Sequence, residues 1–325
     1  MTKKKAQWIS SLMIATAIGS IAFGQTAFAA DKVRVAKSAD VAWTQVLLDV
    51  GAREGIFAKY GLDVEVSALA GDAKVQQALA ANSIEFGLGG GPSMAFSVKG
   101  APVIAVAAFA AEPRNIAIVV NMDSPLKTAA DLKGKLIAVT TVGSLTDWFV
   151  HHLSAQEGWG PDGVKTIALG SFAPALAAMR TGQVDGVMAS VESGYGLEEK
   201  GQGKIFVRMA KYAPHFITHV IFARNDLVND NPDLVTRFLK GFFASVAFEK
   251  ANKDKTTAIA MDVLRQSKTA MDHSYDDEIA MFEDDGHFDP AAVAVIKDSL
   301  VDMAMLPEKP KDEQLFTTRF TPVKP

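Results

Sequence analysis

From Lys32 to Ala223 the chain alternates short β-forming runs with helical stretches, and that rhythm restricts it to an α/β architecture. Lys32 to Ala36 reads as a strand and Trp43 to Arg53 as a helix. Leu62 to Ser67 alternates apolar and polar side chains, the period of a half-buried strand. Asp72 stands as an N-cap before a helix over Ala73 to Ala80. After Glu85-Phe-Gly-Leu88 and a glycine cluster, Pro92 opens another helix, and Pro102 to Phe109 is an apolar run of strand length. The rhythm repeats with strands at Asn115 to Val120, Leu136 to Thr140, Val164 to Leu169, Asp185 to Ala189, Ile205 to Arg208 and His219 to Ala223. Helices are predicted over Leu145 to Gln156 and Pro174 to Arg180, and the chain turns mainly helical from Asn231-Pro232 to Gln266. This order predicts two α/β lobes with largely parallel sheets.

The ends and the composition narrow the setting. Lys3, Lys4 and Lys5 precede an apolar stretch from Trp8 to Phe23, and Ala27-Phe28-Ala29 supplies small residues for signal peptidase. Residues 1–29 therefore read as a secretory signal peptide, too short and too rich in Ser and Thr to span a bilayer, with cleavage expected after Ala29. Removing three lysines leaves 30 basic against 37 acidic residues, a formal charge of −7. A mildly acidic, soluble chain without a second spanning segment argues against nucleic acid or stable membrane insertion. The chain has no Cys, which excludes disulfides, thiolate metal sites, a cysteine nucleophile and lipoprotein anchoring.

Gly71-Asp72, Gly89-Gly90-Gly91 and Gly143-Ser144 each occupy a turn between a predicted strand and helix. In open α/β sheets ligands collect at such carboxyl ends, where helix N-termini present unpaired N–H groups. Three of these turns in one chain point to a shared cleft. The enzyme classes lack their constellations. His215 and His219 lie on an extended run, so their rings are roughly 13 Å apart and do not share an ion. His151 and His152 point to different helix faces, no dinucleotide fingerprint is complete, and no phosphate loop occurs. No catalytic residue, metal or cofactor is expected.

Several segments resemble a known family. Glu54-Gly-Ile-Phe-Ala-Lys-Tyr-Gly-Leu62, Gln77 to Gly89, Asp131-Leu-Lys-Gly-Lys-Leu-Ile-Ala-Val139 with Gly143-Ser144, and Ala178 to Gly186 appear in order. They are similar to motifs of type II periplasmic binding proteins serving nitrate, taurine, aliphatic sulfonates and thiamine pyrimidine precursors. The resemblance implies a discontinuous first lobe over 31–111 plus 225–325, and a second lobe over 112–224. It implies a hinge at two crossings, near 110–115 and 223–226, and a monomer that closes on a small-molecule ligand. Its implied partners are an ABC permease and its ATPase. A sensing subunit would carry the same fold and cleft.

By position, Trp43, Thr44, Gln45, Gly90, Gly91 and Ser93 are ligand-binding candidates from the first lobe. Trp43, as a helix-opening apolar residue, is equally readable as core. Thr141, Ser144, Thr146 and Glu192 are candidates from the second, with Glu192 also readable as an exposed helix-start carboxylate. Asp72 stands where sulfonate-binding relatives tend to carry Ser, which would disfavour an anionic head group. Arg114, near the first crossing, would favour one, so the ligand's charge stays open.

Overall fold

The computed structural model describes residues 30–324, so the expected signal peptide lies outside the described residues. The first segment runs β1 (Asp31–Lys37), α1 (Leu47–Arg53), β2 (Leu62–Ala68), α2 (Asp72–Ala80), β3 (Phe86–Gly90), α3 (Ala95–Val98) and β4 (Val103–Ala110). The middle segment adds β5 (Ile116–Asn121), β6 (Leu136–Val139), α4 (Leu145–Gln156), β7 (Lys165–Ala168), α5 (Phe172–Arg180), β8 (Gly186–Ser190), α6 (Val191–Glu199) and β9 (Gly203–Arg208). Then come β10 (His219–Arg224), α7 (Asn225–Asp230), α8 (Pro232–Ala251), α9 (Lys253–Leu264), α10 (Lys268–Glu278), α11 (Pro290–Asp302) and α12 (Asp312–Leu315).

These elements build two five-stranded sheets, ordered β2-β1-β3-β10-β4 and β7-β6-β8-β5-β9. The sequence rhythm is borne out, with one qualification about direction. In each sheet one strand runs against its neighbours: β10 is antiparallel to β3 and β4, and β5 is antiparallel to β8 and β9. Central strands β3 and β8 are buried along their whole length, because helices cover both faces of each sheet. Gly87 in β3 is required by close approach: a Cβ there would lie 2.3 Å from Val75 Cγ1 of α2.

The strand at His219–Arg224 corrects the expected lobe boundary. It was expected to close the middle lobe, yet it lies hydrogen-bonded between β3 and β4 of the first sheet. Membership of that sheet ends the second lobe before His219, so the return crossing precedes 219 and is not at 223–226. Sequence reading assigned it by adjacency to β9, whereas pairing across the sheet is a long-range choice. The two crossings touch: Thr218 donates its backbone N–H to the Ala110 carbonyl at 2.8 Å.

One hydrophobic core lies on the outer side of the first sheet, where Phe86 stacks on Phe238 of α8 with ring centroids 3.9 Å apart. A second core passes from one lobe to the other. It joins Val75 and Leu79 of α2 to Trp148 and Phe149 of α4, and on to Ile296 of α11. The lobes are thus closed on each other over apolar surface, at roughly 25 cal/mol for each Å² removed from water.

Candidate functional site

The cleft between the lobes lies at the carboxyl ends of β1, β6, β7 and β8, the position at which open α/β sheets bind ligands. It encloses a cavity of about 70 Å³. The first lobe contributes the loop from Ser38 to Ala42, together with Gln45 and Asp72. The second contributes Thr140 and Thr146 near the start of α4, Ser171 and Phe172 at the start of α5, and Ser190 at the end of β8. Asn115, beside the first crossing, and His219, at the start of β10, line it too.

Of the twelve candidate residues, Gln45, Asp72 and Thr146 line the cleft. Gln45 is held by its own lobe, donating Nε2–H to Ser38 Oγ at 3.0 Å. Asp72 is 2% exposed and accepts from three groups. Ser93 Oγ donates to Oδ2 at 2.7 Å, the Gly90 N–H to Oδ1 at 3.3 Å, and the Leu145 N–H to Oδ2 at 2.8 Å. Thr146 Oγ1 accepts the Thr140 N–H at 3.0 Å and sits 2.9 Å from Ser144 Oγ. Ser144 caps α4, accepting from the Asp147 N–H, and so stands behind the wall.

The remaining candidates do other work. Gly90 brings the lobes together, since a Cβ there would lie 2.5 Å from Leu145 Cβ. Gly91 spends its N–H on the Thr218 carbonyl at 3.2 Å. Ser93 serves Asp72. Thr141 Oγ1 accepts the Ala73 N–H at 3.4 Å across the lobes and leaves no room for a Cβ at Gly71, whose φ is +104°. Trp43 is core, with its ring stacked on Phe282 at 5.5 Å. Arg114 pairs with Glu112 on the surface at 3.1 Å.

Glu192 is fully buried outside the cleft, where Oε1 accepts the Trp43 N–H from the other lobe at 2.7 Å. Burial raises its carboxyl from an ordinary 4.5 to about 7. Glu278 of α10 is equally buried and is pushed well above the usual carboxylate range by burial and by Glu192.

Sequence reading missed Asn115, His219 and Ser171. In the sequence Asn115 and His219 each open a strand-forming run, and neither carries a local mark of a binding role. Ser171 carried a legible signal, a small hydroxyl residue after a predicted strand and just before a helix. His219 Nε2 lies 3.0 Å from Thr44 Oγ1 and 3.1 Å from Asn115 Nδ2. Burial lowers its imidazole to about 3, so it is neutral.

Two mixed sheets, two adjacent crossings and a cleft at the strand ends define the periplasmic-binding-protein fold. The alkanesulfonate-binding protein SsuA of Xanthomonas axonopodis pv. citri shares it, with a TM-score of 0.75 at 16% identity over 88% of this chain and 96% of that one. The chain belongs to the NMT1/THI5-like family, whose model matches residues 46–256. A Brucella abortus (strain 2308) protein described as a binding protein is 24% identical over 243 residues, 74% of each chain. A Haemophilus influenzae protein described as a thiamine biosynthesis protein is 27% identical over 212 residues, 62% of this chain and 65% of its own.

Proposed function

We propose that this protein is the solute-binding component of an ABC importer, capturing a small polar organic molecule between its lobes and handing it to a permease coupled to an ATPase. The observation that carries this reading is a cleft walled by both lobes and fastened by hydrogen bonds on either side of it. Besides Leu145 to Asp72, Ser190 donates its hydroxyl to the Val41 carbonyl at 3.1 Å. A ligand touching both walls gains contacts that exist only when the lobes meet, and that difference shifts the population toward closure.

The same geometry favours binding over catalysis. His219 is neutral, and its Nε2 is held by Thr44 and Asn115, which leaves it poorly placed to take a proton from a substrate. The signal-peptide pattern at 1–29 supports work in the periplasm, and among the described residues no helix is long and apolar enough to cross a membrane. Mass spectrometry of small molecules released from protein purified without refolding tests the reading. One solute per chain, recovered chemically unchanged, is the expected result; conversion of that solute by the protein would overturn it.

A further inference from the structure

The cleft wall contains a hydrogen-bond relay whose polarity selects the chemistry of the ligand. It begins at His219, which packs its ring on Phe109 with centroids 5.3 Å apart. Nδ1 makes no hydrogen bond, and the Asn115 amide nitrogen, which can only donate, lies 3.1 Å from Nε2, so the lone pair is at Nε2 and the ring proton at Nδ1. A neutral ring protonated at Nδ1 offers only a lone pair at Nε2. That lone pair receives the Thr44 hydroxyl at 3.0 Å and Asn115 Nδ2 at 3.1 Å. Asn115 Nδ2 also donates to Thr44 Oγ1 at 3.3 Å, so both amide hydrogens are spent inside the relay. What remains is Asn115 Oδ1, a buried acceptor without a partner on a residue that lines the cleft.

The charges around this acceptor agree with it. Asp40 and Asp72 line the cleft, and none of the described lining residues is a lysine or arginine. A desolvated sulfonate or carboxylate would meet negative charge with no cation to offset the loss of its hydration. Free donors stand at the start of α5, where Ser171 makes no capping hydrogen bond, which suits a neutral oxygen on the same molecule.

Resting on the solute-binding reading, we propose that the ligand is a neutral or cationic nitrogen compound that donates an N–H to Asn115 Oδ1. Its apolar body lies against Val41, Ile116, Leu145 and Phe172. Asn115 is then the specificity-determining residue of the cleft, and the His219–Thr44 pair positions its amide.

Thermal-shift titration with butylamine, butyramide, butyrate and butanesulfonate, which share one apolar body and differ in head group, tests the proposal. The amine or the amide raises Tm at millimolar concentration, and the two anions do not. Asn115→Leu weakens that response by about tenfold, the loss expected when one buried hydrogen bond goes unmade. Stronger stabilisation by either anion overturns the ligand class while leaving the solute-binding reading intact. No response to the amine and the amide overturns the class as well, whereas recovery of a chemically altered compound would bring down the solute-binding reading itself.

Discussion

Leu145 donates its backbone N–H to Asp72 Oδ2 at 2.8 Å, tying the first turn of α4 in one lobe to the first turn of α2 in the other. The bond answers two needs at once. A helix start carries N–H groups without intrahelical partners, and a buried carboxylate needs donors for its oxygens. Ser93 and Gly90 supply donors from Asp72's own lobe, so the carboxylate is preorganised before the second lobe arrives. Closure adds the last donor.

Asp72→Ala removes this latch together with the donors' common acceptor. Hydrogen bonds to charged groups contribute about 1.5–3 kcal/mol each, so the co-purifying solute should bind roughly tenfold to a hundredfold more weakly. Calorimetric titration measures the loss; unchanged affinity would show that the latch contributes nothing to closure.

Gly90→Ala tests the close approach directly. Gly90 has a φ of −79°, which alanine adopts without strain, but the added Cβ would meet Leu145 Cβ at 2.5 Å. The first lobe should fold normally while the lobes stand apart. Small-angle scattering should give a larger radius of gyration than wild type in the presence of saturating solute.

The two buried tryptophans should differ as reporters. Trp148 Nε1 donates to Ser299 Oγ of α11 at 3.0 Å, a bond between lobes, and its ring lies against His152 and Phe216. Trp43 keeps its ring among Phe282 and Tyr275 of its own lobe. Trp148→Phe should abolish the fluorescence change on solute binding, and Trp43→Phe should preserve it.

Closure should weaken as pH rises. Glu192 and Glu278 come from opposite lobes and are both fully buried, and of their four oxygens only Glu192 Oε1 has a hydrogen-bond donor. Burial is the main cause of both raised values; Glu192 and Asp277 push Glu278 further up, and Arg208 opposes them. A raised carboxyl contributes stability that is fully present below its ordinary value of 4.5 and is lost as pH climbs through about 7. Solute affinity and Tm should therefore fall between pH 5 and pH 8 as measured by thermal-shift titration, and Glu278→Gln should flatten the profile.

The sequence by itself determined the α/β class, the strands, the helices α1 to α5 with the helical stretch of α8 and α9, and the end of the sheets at which the cleft forms. Those features are local: strand and helix periods, caps and glycine turns depend on neighbours a few residues away. Asp72 was legible for the same reason, as a helix-start carboxylate beside a glycine turn. The tertiary structure alone decided the rest. The place of β10 between β3 and β4 is a choice among strand partners more than a hundred residues away in the chain, and nothing in His219 to Arg224 encodes it locally. The roles of Gly90 and Glu192 were settled by Leu145 and the Trp43 N–H arriving from the other lobe, and that of Trp43 by Tyr275 and Phe282, distant in the chain but in its own lobe. Asn115 became a candidate only when His219 and Thr44, 104 and 71 residues distant, consumed its amide hydrogens and left the oxygen of a cleft-lining residue buried without a partner.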